Sequence, residues 1–167
     1  MVHKEIYIEL QDTQWQFDYI DHDRNIARAI VYDENGIFYF VRAERDDDFG
    51  KATLIETAGG GVEVGEELQT AIQRELKEEL GVEAEEKDLQ YIATIKSTKN
   101  PKNMEFAYVY LLRCNKKIEE YTFEDDEVSE VKYVLYKDLE KMVEEKAEGL
   151  LIHKEEFEKL FQYIRSL

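Results

Sequence analysis

The chain has 167 residues, 43% of them hydrophobic, and a formal net charge of -17 at pH 7. This length and apolar content suit a single hydrophobic core, so we expect one domain over residues 1–167. So acidic a chain, with no cluster of Lys and Arg, is a poor partner for nucleic acid or for an anionic membrane. If the substrate is a polyanion, a bound divalent cation is the simplest means of neutralising it.

The number of cysteines and the first residues of the chain indicate the cellular compartment of the protein. Cys114, the single cysteine, lies in an apolar run, which favours a buried thiol in a reducing compartment over a disulfide. The chain starts without the apolar core of a signal peptide, and no stretch approaches the ~20 apolar residues of a membrane span. We therefore expect a cytoplasmic protein.

Strands are predicted wherever apolar residues alternate with polar ones or form short continuous runs. The first such segment is an N-terminal hairpin over residues 4–20, and homodimerisation through it is compatible with the sequence. The Asn35-Gly36 pair predicts a tight turn in a second hairpin, and a polar loop is predicted over residues 44–51. The run 106–114 is almost wholly apolar, as in a central strand. The strands that we predict after the N-terminal hairpin are residues 25–32, 37–41, 54–57, 89–95, 106–114 and 131–135.

Helical periodicity appears in three later segments. The predicted helices are residues 66–80, residues 137–146 and a C-terminal helix within residues 153–166. The first of them should start after Gly65 and end before Gly81, a residue suited to the left-handed C-terminal position. Glu66 and Glu67 would then lie in its first turn, where the helix dipole favours acids.

The segment from Gly60 to Val82 combines glycines, acids and an arginine at fixed spacing. It reads GGVEVGEELQTAIQRELKEELGV. On a helical wheel its leucines, isoleucine and alanine define an apolar arc, and Glu75 and Glu79 fall inside that arc, with Glu78 at its edge. A Glu-rich helix ordinarily presents its acids to solvent, but these positions should face the protein interior.

Two carboxylates directed into a protein are costly unless they are paired, protonated or bound to a metal. A divalent cation resolves both their desolvation and their mutual repulsion. Because the nearby donors are oxygens, the sequence predicts Mg²⁺ or Mn²⁺ rather than zinc. In the preceding glycine run, Gly59-Gly60-Gly61, the backbone can approach a metal and a phosphate closely, and its carbonyls can serve as ligands. The histidines form no metal set; they are His3, His22 and His153.

This segment resembles the signature of the Nudix family at every fixed position, a match that composition alone would produce with a chance on the order of one in a million. The resemblance implies an α/β (α+β) fold, the family's α/β/α sandwich around a mixed β-sheet. It maps Glu75, Glu78 and Glu79 onto metal-binding glutamates, Gly59 onto a carbonyl ligand and Arg74 onto a structural arginine of the catalytic segment. A further acid acts as ligand or general base in many relatives, and our candidate is Glu127, ahead of Glu105.

The resemblance also implies the reaction: Mg²⁺-dependent hydrolysis of a diphosphate linkage by attack of water on phosphorus. The substrate would be a small nucleoside diphosphate derivative, namely a nucleotide sugar, an ADP-ribose-like compound or a nucleoside triphosphate. Candidate phosphate contacts are Arg42, Arg45 and Lys51, although exposed charges more often only solubilise. Tyr39 or Trp15 could stack on a base, with a place in the core or an interface as the alternative.

Two other functions stay open at this point. Isopentenyl diphosphate isomerases share the fold and much of the motif but use a cysteine before it, whereas Cys114 comes after it. Non-catalytic nucleotide-binding regulatory modules commonly lose motif glutamates, which this chain keeps.

The residue before the glycine run bears on the subfamily. Ala58 stands where many relatives have proline, which argues against a close match to the MutT-like triphosphatases. ADP-ribose-type relatives often have alanine there, but Pro101 lies later than their downstream proline.

Overall fold

The computed structural model describes residues 24–47, 50–97, 105–146 and 154–166. The strands in these ranges are β1 (Arg24–Tyr32), β2 (Ile37–Asp47), β3 (Gly50–Glu56), β4 (Ala58–Gly61), β5 (Leu89–Ser97), β6 (Glu105–Arg113) and β7 (Val128–Leu135). The helices are α1 (Leu68–Leu80), α2 (Tyr136–Glu144) and α3 (Lys154–Ser166), with short 3-10 turns at Glu86–Asp88 and Ile118–Glu120. The predicted N-terminal hairpin over 4–20 lies outside the described residues, as do Trp15, Pro101 and the three histidines.

The seven described strands form one mixed sheet. Its order is β3-β2-β1-β6-β5, with β4 paired to β1 and β7 paired to β2. Strands β1 and β6 are parallel along their whole length, and the other pairs are antiparallel. The prediction of a central strand over 106–114 is confirmed, since β6 lies between β1 and β5 and most of its residues are buried.

Helix α1 covers one face of the sheet. Its residues Ile72, Leu76 and Leu80 are fully buried and pack with Ala29 and Val31 of β1 in one apolar cluster. The helix ends as its sequence predicts. Gly81 has φ 61°, and the N–H groups of Gly81 and Val82 donate to the carbonyls of Lys77 and Leu76.

Helices α2 and α3 cover the opposite face. Leu139 of α2 and Phe157 and Leu160 of α3 pack against Phe40 and Val109 of the sheet in a second apolar cluster. The predicted α/β/α sandwich around a mixed sheet is therefore confirmed. None of the helices in the described ranges is long and apolar enough to cross a membrane.

The loop predicted over residues 44–51 is wrong. Strands β2 and β3 stay paired through this segment, with Arg45 opposite Ala52, Asp46 opposite Lys51 and Asp47 opposite Gly50. The charged residues there have low strand propensity, but the backbone hydrogen bonds of an adjacent antiparallel partner override that preference.

The predicted start of the first helix at Glu66 is also wrong, because α1 begins at Leu68. Residues 63–66 form a tight turn in which Gly65 has φ 81° and the N–H of Glu66 donates to the carbonyl of Glu63. The first turn of α1 consequently contains no acidic residue, because Glu67 is the N-cap residue and Glu66 lies in the preceding turn.

Replacing Ile72 by Ala tests the packing of α1 on the sheet. The fully buried side chain leaves a cavity when truncated, so the unfolding free energy should fall by about 2–5 kcal/mol in urea denaturation. The matched control is Thr70→Ala on the exposed side of α1, expected to change stability by no more than about 0.5 kcal/mol. Equal effects of the two variants would contradict this packing.

Candidate functional site

The glycine run lies between β1 and α1 because β4 pairs with β1. Gly59 is opposite Arg28 and Gly60 opposite Ala27 in this antiparallel register. A Cβ on Gly59, which has φ 149°, would collide with the carbonyl oxygen of Ala27. A Cβ on Gly60 would lie 2.6 Å from Oε1 of Glu75. Glycine at these two positions is what allows the strand to approach both β1 and the carboxylate of Glu75.

The two glutamates that the helical wheel places in the apolar arc are indeed buried. Glu75 and Glu79 are each 8% exposed. Oε2 of Glu79 accepts the N–H of Gly59 at 2.8 Å. Burial raises the pKa of Glu79 to about 8, despite the opposing effect of that hydrogen bond, and the charges of Glu75 and Glu56 raise it further. Burial also raises the pKa of Glu75, against the effect of Arg74.

Arg74 joins the parts of the motif that are distant in sequence. Its Nη1 donates to Glu75 at 2.7 Å and to Glu78 at 3.4 Å. Its Nε and Nη2 donate to the two carboxylate oxygens of Glu66 at 3.0 and 3.1 Å, and Nη2 also donates to the carbonyl of Gly61 at 3.0 Å. The turn before α1 brings Glu66 back to this guanidinium. Arg74 thereby fixes the glycine run, the turn and two of the candidate ligands relative to one another.

The donor chemistry of this cluster fits a hard divalent cation. Glu75 and Glu79 are buried carboxylates, Glu78 is half-exposed beside them, and Gly59 and Gly61 contribute backbone polar groups. Across the described ranges, no three acidic, cysteine or histidine side chains converge into a ready-made ion site. In this arrangement Arg74 donates to oxygens of Glu75 and Glu78, and the Gly59 N–H donates to Glu79.

The acidic loop 124–127 docks on the carboxyl end of α1. The N–H groups of Glu124 and Asp125 donate to the carbonyl of Glu78 at 2.6 and 3.2 Å. Asp125 is half-buried, and its charge raises the pKa of both Glu75 and Glu79. Glu127, the sequence-based candidate, is exposed and donates its N–H to Oδ1 of Asp125 at 2.8 Å. Asp125 is therefore the acid of this loop whose charge acts on both buried glutamates.

Two further acids differ in how close they come to the site. Glu105, the second sequence-based candidate, is buried at the first residue of β6, so β1 lies between it and the glycine run. Glu56 escaped the sequence-based prediction. It is buried at the end of β3, opposite Val41, and its charge raises the pKa of Glu79. One signal in the sequence could have identified it: Glu56 lies two residues after Leu54 and therefore on the same face of the strand.

Two of the predicted phosphate contacts, Arg42 and Lys51, pair with acids outside the glutamate cluster. Arg42 follows Phe40 on the sheet face away from α1 and forms a 3.8 Å ion pair with Glu130. Lys51 is exposed and pairs with Asp46, and the side chain of Arg45 lies outside the described residues. Tyr39 is buried in the α1 cluster, with its hydroxyl donating to Asp33 at 3.0 Å, which is the interior role that the sequence left open.

The family model of the NUDIX domain matches residues 22–153. The chain belongs to the NUDIX family. An uncharacterised Nudix hydrolase of Clostridium acetobutylicum is 32% identical over 107 residues, which are 59% of this chain and 52% of that protein. The chain thus spans about half the length of this curated relative.

Solved structures share the fold at low sequence identity. The NUDIX domain of Shewanella oneidensis NrtR, complexed with ADP ribose, matches with a TM-score of 0.66 and 16% identity over 98% of this chain and 99% of that chain. A MutT protein of Methanosarcina mazei matches with a TM-score of 0.65 and 20% identity over 84% and 94%. A NUDIX hydrolase of Nitrosomonas europaea matches with a TM-score of 0.67 and 12% identity over 87% and 90%.

The Glu66–Arg74 pair of this NUDIX domain should make stability depend on acid pH. The hydrogen bond from Arg74 holds the pKa of Glu66 below its usual value of 4.5. Its contribution is therefore present above the unfolded-state pKa and is lost as pH falls through the lowered folded-state value. Glu66→Gln should cost about 1 kcal/mol or less at neutral pH and progressively less towards about pH 3, measured by urea denaturation. Glu67→Gln is the exposed control and should show no such trend.

Proposed function

We propose that this NUDIX-family protein hydrolyses a diphosphate linkage in a small nucleoside diphosphate derivative, with Mg²⁺ or Mn²⁺ as cofactor. The observation that carries the proposal is the burial of Glu75 and Glu79 against the glycine run, where a hard cation offsets their desolvation and repulsion. Family membership and a relative named as a Nudix hydrolase support the same reaction. The sequence indicators of a reducing compartment support a cytoplasmic role.

The residues that would hold the cation are Glu75, Glu78 and Glu79, together with the carbonyl of Gly59. A divalent cation at this position supplies charge neutralisation for a diphosphate and a lowered pKa for water. The chain itself supplies orientation. Arg74 restrains Glu75 and Glu78, the Gly59 N–H restrains Glu79, and the backbone of Gly60 and Gly61 lies where a phosphate can approach closely.

A carboxylate near the ligands would accept the proton of the attacking water. We place Asp125 first for this role because its charge acts on both buried glutamates, and Glu56 second because it acts on Glu79. Glu127 remains a candidate through its contact with Asp125. The catalytic base would thus come from the docked loop or from the end of β3, not from α1 itself.

A nucleotide-derived substrate is supported by the fold neighbour from Shewanella oneidensis, which binds ADP ribose. An ADP-ribose-like compound, a nucleotide sugar and a nucleoside triphosphate all contain the required diphosphate. Isomerase chemistry receives no support from the geometry. Cys114 follows β6, is half-buried and packs against the apolar cluster of α1, and its N–H donates to the carbonyl of Tyr32.

Glu79→Gln tests whether the buried carboxylate is needed for hydrolysis. The substitution keeps shape but removes a charge that would bind the cation, so the rate of substrate cleavage, measured by chromatography of the products, should fall by more than about 100-fold, beyond the loss typical of an outer-shell partner. The activity assay tests five classes of substrate with Mg²⁺ or Mn²⁺: nucleoside triphosphates, ADP-ribose, sugar nucleotides, dinucleoside polyphosphates and isoprenoid diphosphates. Glu67→Gln makes the same charge change at an exposed position and should retain wild-type activity. Full activity of Glu79→Gln, or no cleavage by the wild type, would refute the proposal.

Gly60→Ala tests the packing of Glu75 against the glycine run. The added Cβ would lie 2.6–2.9 Å from the carboxylate atoms of Glu75 and displace them, so the affinity for Mn²⁺ should fall by about tenfold or more in titration calorimetry. At Gly61 a Cβ meets no atom within 4 Å, and Gly61→Ala should keep the wild-type affinity. If both variants bind Mn²⁺ as the wild type does, Glu75 is not a ligand in this position.

A further inference from the structure

Three buried polar side chains lie on the α3 side of the sheet, directly behind the glycine run. They are Arg28 of β1, Thr57 between β3 and β4, and Glu156 of α3, and we call them the Glu156 cluster. Glu156 is 1% exposed, Thr57 is 4% exposed and Arg28 is 7% exposed. The residue after Glu156, Phe157, belongs to the apolar core that α3 forms with the sheet. A buried position beside an apolar core is unusual for an acidic and a basic side chain.

Stability alone is a weak reason for such a cluster. Removing charges from water costs free energy that their attraction often fails to recover, and apolar residues of similar volume are frequently as stabilising. Burial raises the pKa of Glu156, opposed by the charge of Arg28 and the hydroxyl of Thr57. Within the described part of the chain, Nε of Arg28 is buried without a hydrogen-bond partner. The cluster is therefore better explained by a role in positioning nearby groups than by a contribution to stability.

The two residues that interact with Glu156 both lie close to Gly59, Thr57 along the chain and Arg28 across the sheet. Oγ1 of Thr57 donates to Oε1 of Glu156 in a long hydrogen bond of 3.3 Å, and Thr57 precedes β4 by one residue. Arg28 is opposite Gly59 in the β1–β4 register, and a Cβ on Gly59 would lie 2.7 Å from Cα of Arg28. Glu156 thus contacts the chain just before Gly59 and lies near the residue on which Gly59 packs.

Gly59 in turn holds a buried glutamate on the other face of the sheet. Its N–H donates to Oε2 of Glu79 at 2.8 Å. A shift of the β3–β4 junction would move this donor and change where Glu79 presents its carboxylate. The connection runs from α3 through the sheet to α1, although the NUDIX family match ends at residue 153, before α3 begins.

We propose that Glu156 is a positioning residue for the metal site, acting through Thr57 and Arg28 on the Gly59 backbone and so on Glu79. The inference rests on the proposed function, since it assumes that Glu79 and the Gly59 carbonyl bind the cation. It assigns α3 a role in the site beyond covering the sheet.

The test measures the Mn²⁺ affinity of the full chain by titration calorimetry, beside its thermal stability without metal. Glu156→Gln keeps the shape but removes the charge near Arg28, and Thr57→Val removes the hydroxyl with little change of volume. Each should weaken Mn²⁺ binding by about tenfold or more, as for outer-shell partners of metal ligands. Thr57→Val carries the test if Glu156→Gln does not fold.

Two controls separate positioning from a general loss of packing. Thr57→Ser keeps the donor and should restore wild-type Mn²⁺ affinity, whereas Leu160→Ala removes a fully buried side chain of the same helix and should lower only stability. Wild-type affinity in Glu156→Gln and Thr57→Val would overturn the positioning role while leaving the metal site intact, as would equal weakening by Leu160→Ala. No Mn²⁺ binding by the wild type would instead overturn the proposed metal site, and this inference with it.

Discussion

The site depends on keeping two carboxylates buried against a run of three glycines. Glu75 and Glu79 are held on the core side of α1. The missing Cβ of Gly60 makes room for the carboxylate of Glu75, and the N–H of Gly59 donates to Glu79. Desolvation acts against their ionised forms and raises the pKa of both. An arrangement this costly is explained when the carboxylates bind a cation, because the cation recovers in binding what burial costs in folding.

Charge connects this local constraint to the whole chain. The protein carries a net charge of -17, and its candidate site holds Glu75 and Glu78 on Arg74 and Glu79 on the Gly59 N–H. A diphosphate would be repelled by such a surface, so recognition of an anionic substrate requires a locally bound positive charge. Arg74 alone does not meet this need, since its donors are already used by Glu66, Glu75, Glu78 and the Gly61 carbonyl.

Features governed by neighbours along the chain were predicted well from the sequence. The period of α1 placed Glu75 and Glu79 inside, Gly81 ended the helix, and the apolar run around β6 indicated a central strand. The sequence-based predictions were wrong where contacts with another strand or with a distant side chain determined the local structure. Residues 44–47 and 50–51 pair as strands because β2 and β3 supply each other's hydrogen bonds, and Glu66 leaves the helix because Arg74 and the Glu63 turn bind it.

The sequence by itself determined the family signature and the inward direction of two glutamates, because both follow from residue type and helical period. Only the tertiary structure decided which acids join them. The charge of Asp125 acts on both glutamates because its loop docks on the last turn of α1, and the charge of Glu56 acts on Glu79 from the end of β3. Glu156 lies behind Gly59 because α3 packs on the opposite face. Such contacts join segments tens of residues apart, and no local periodicity specifies them.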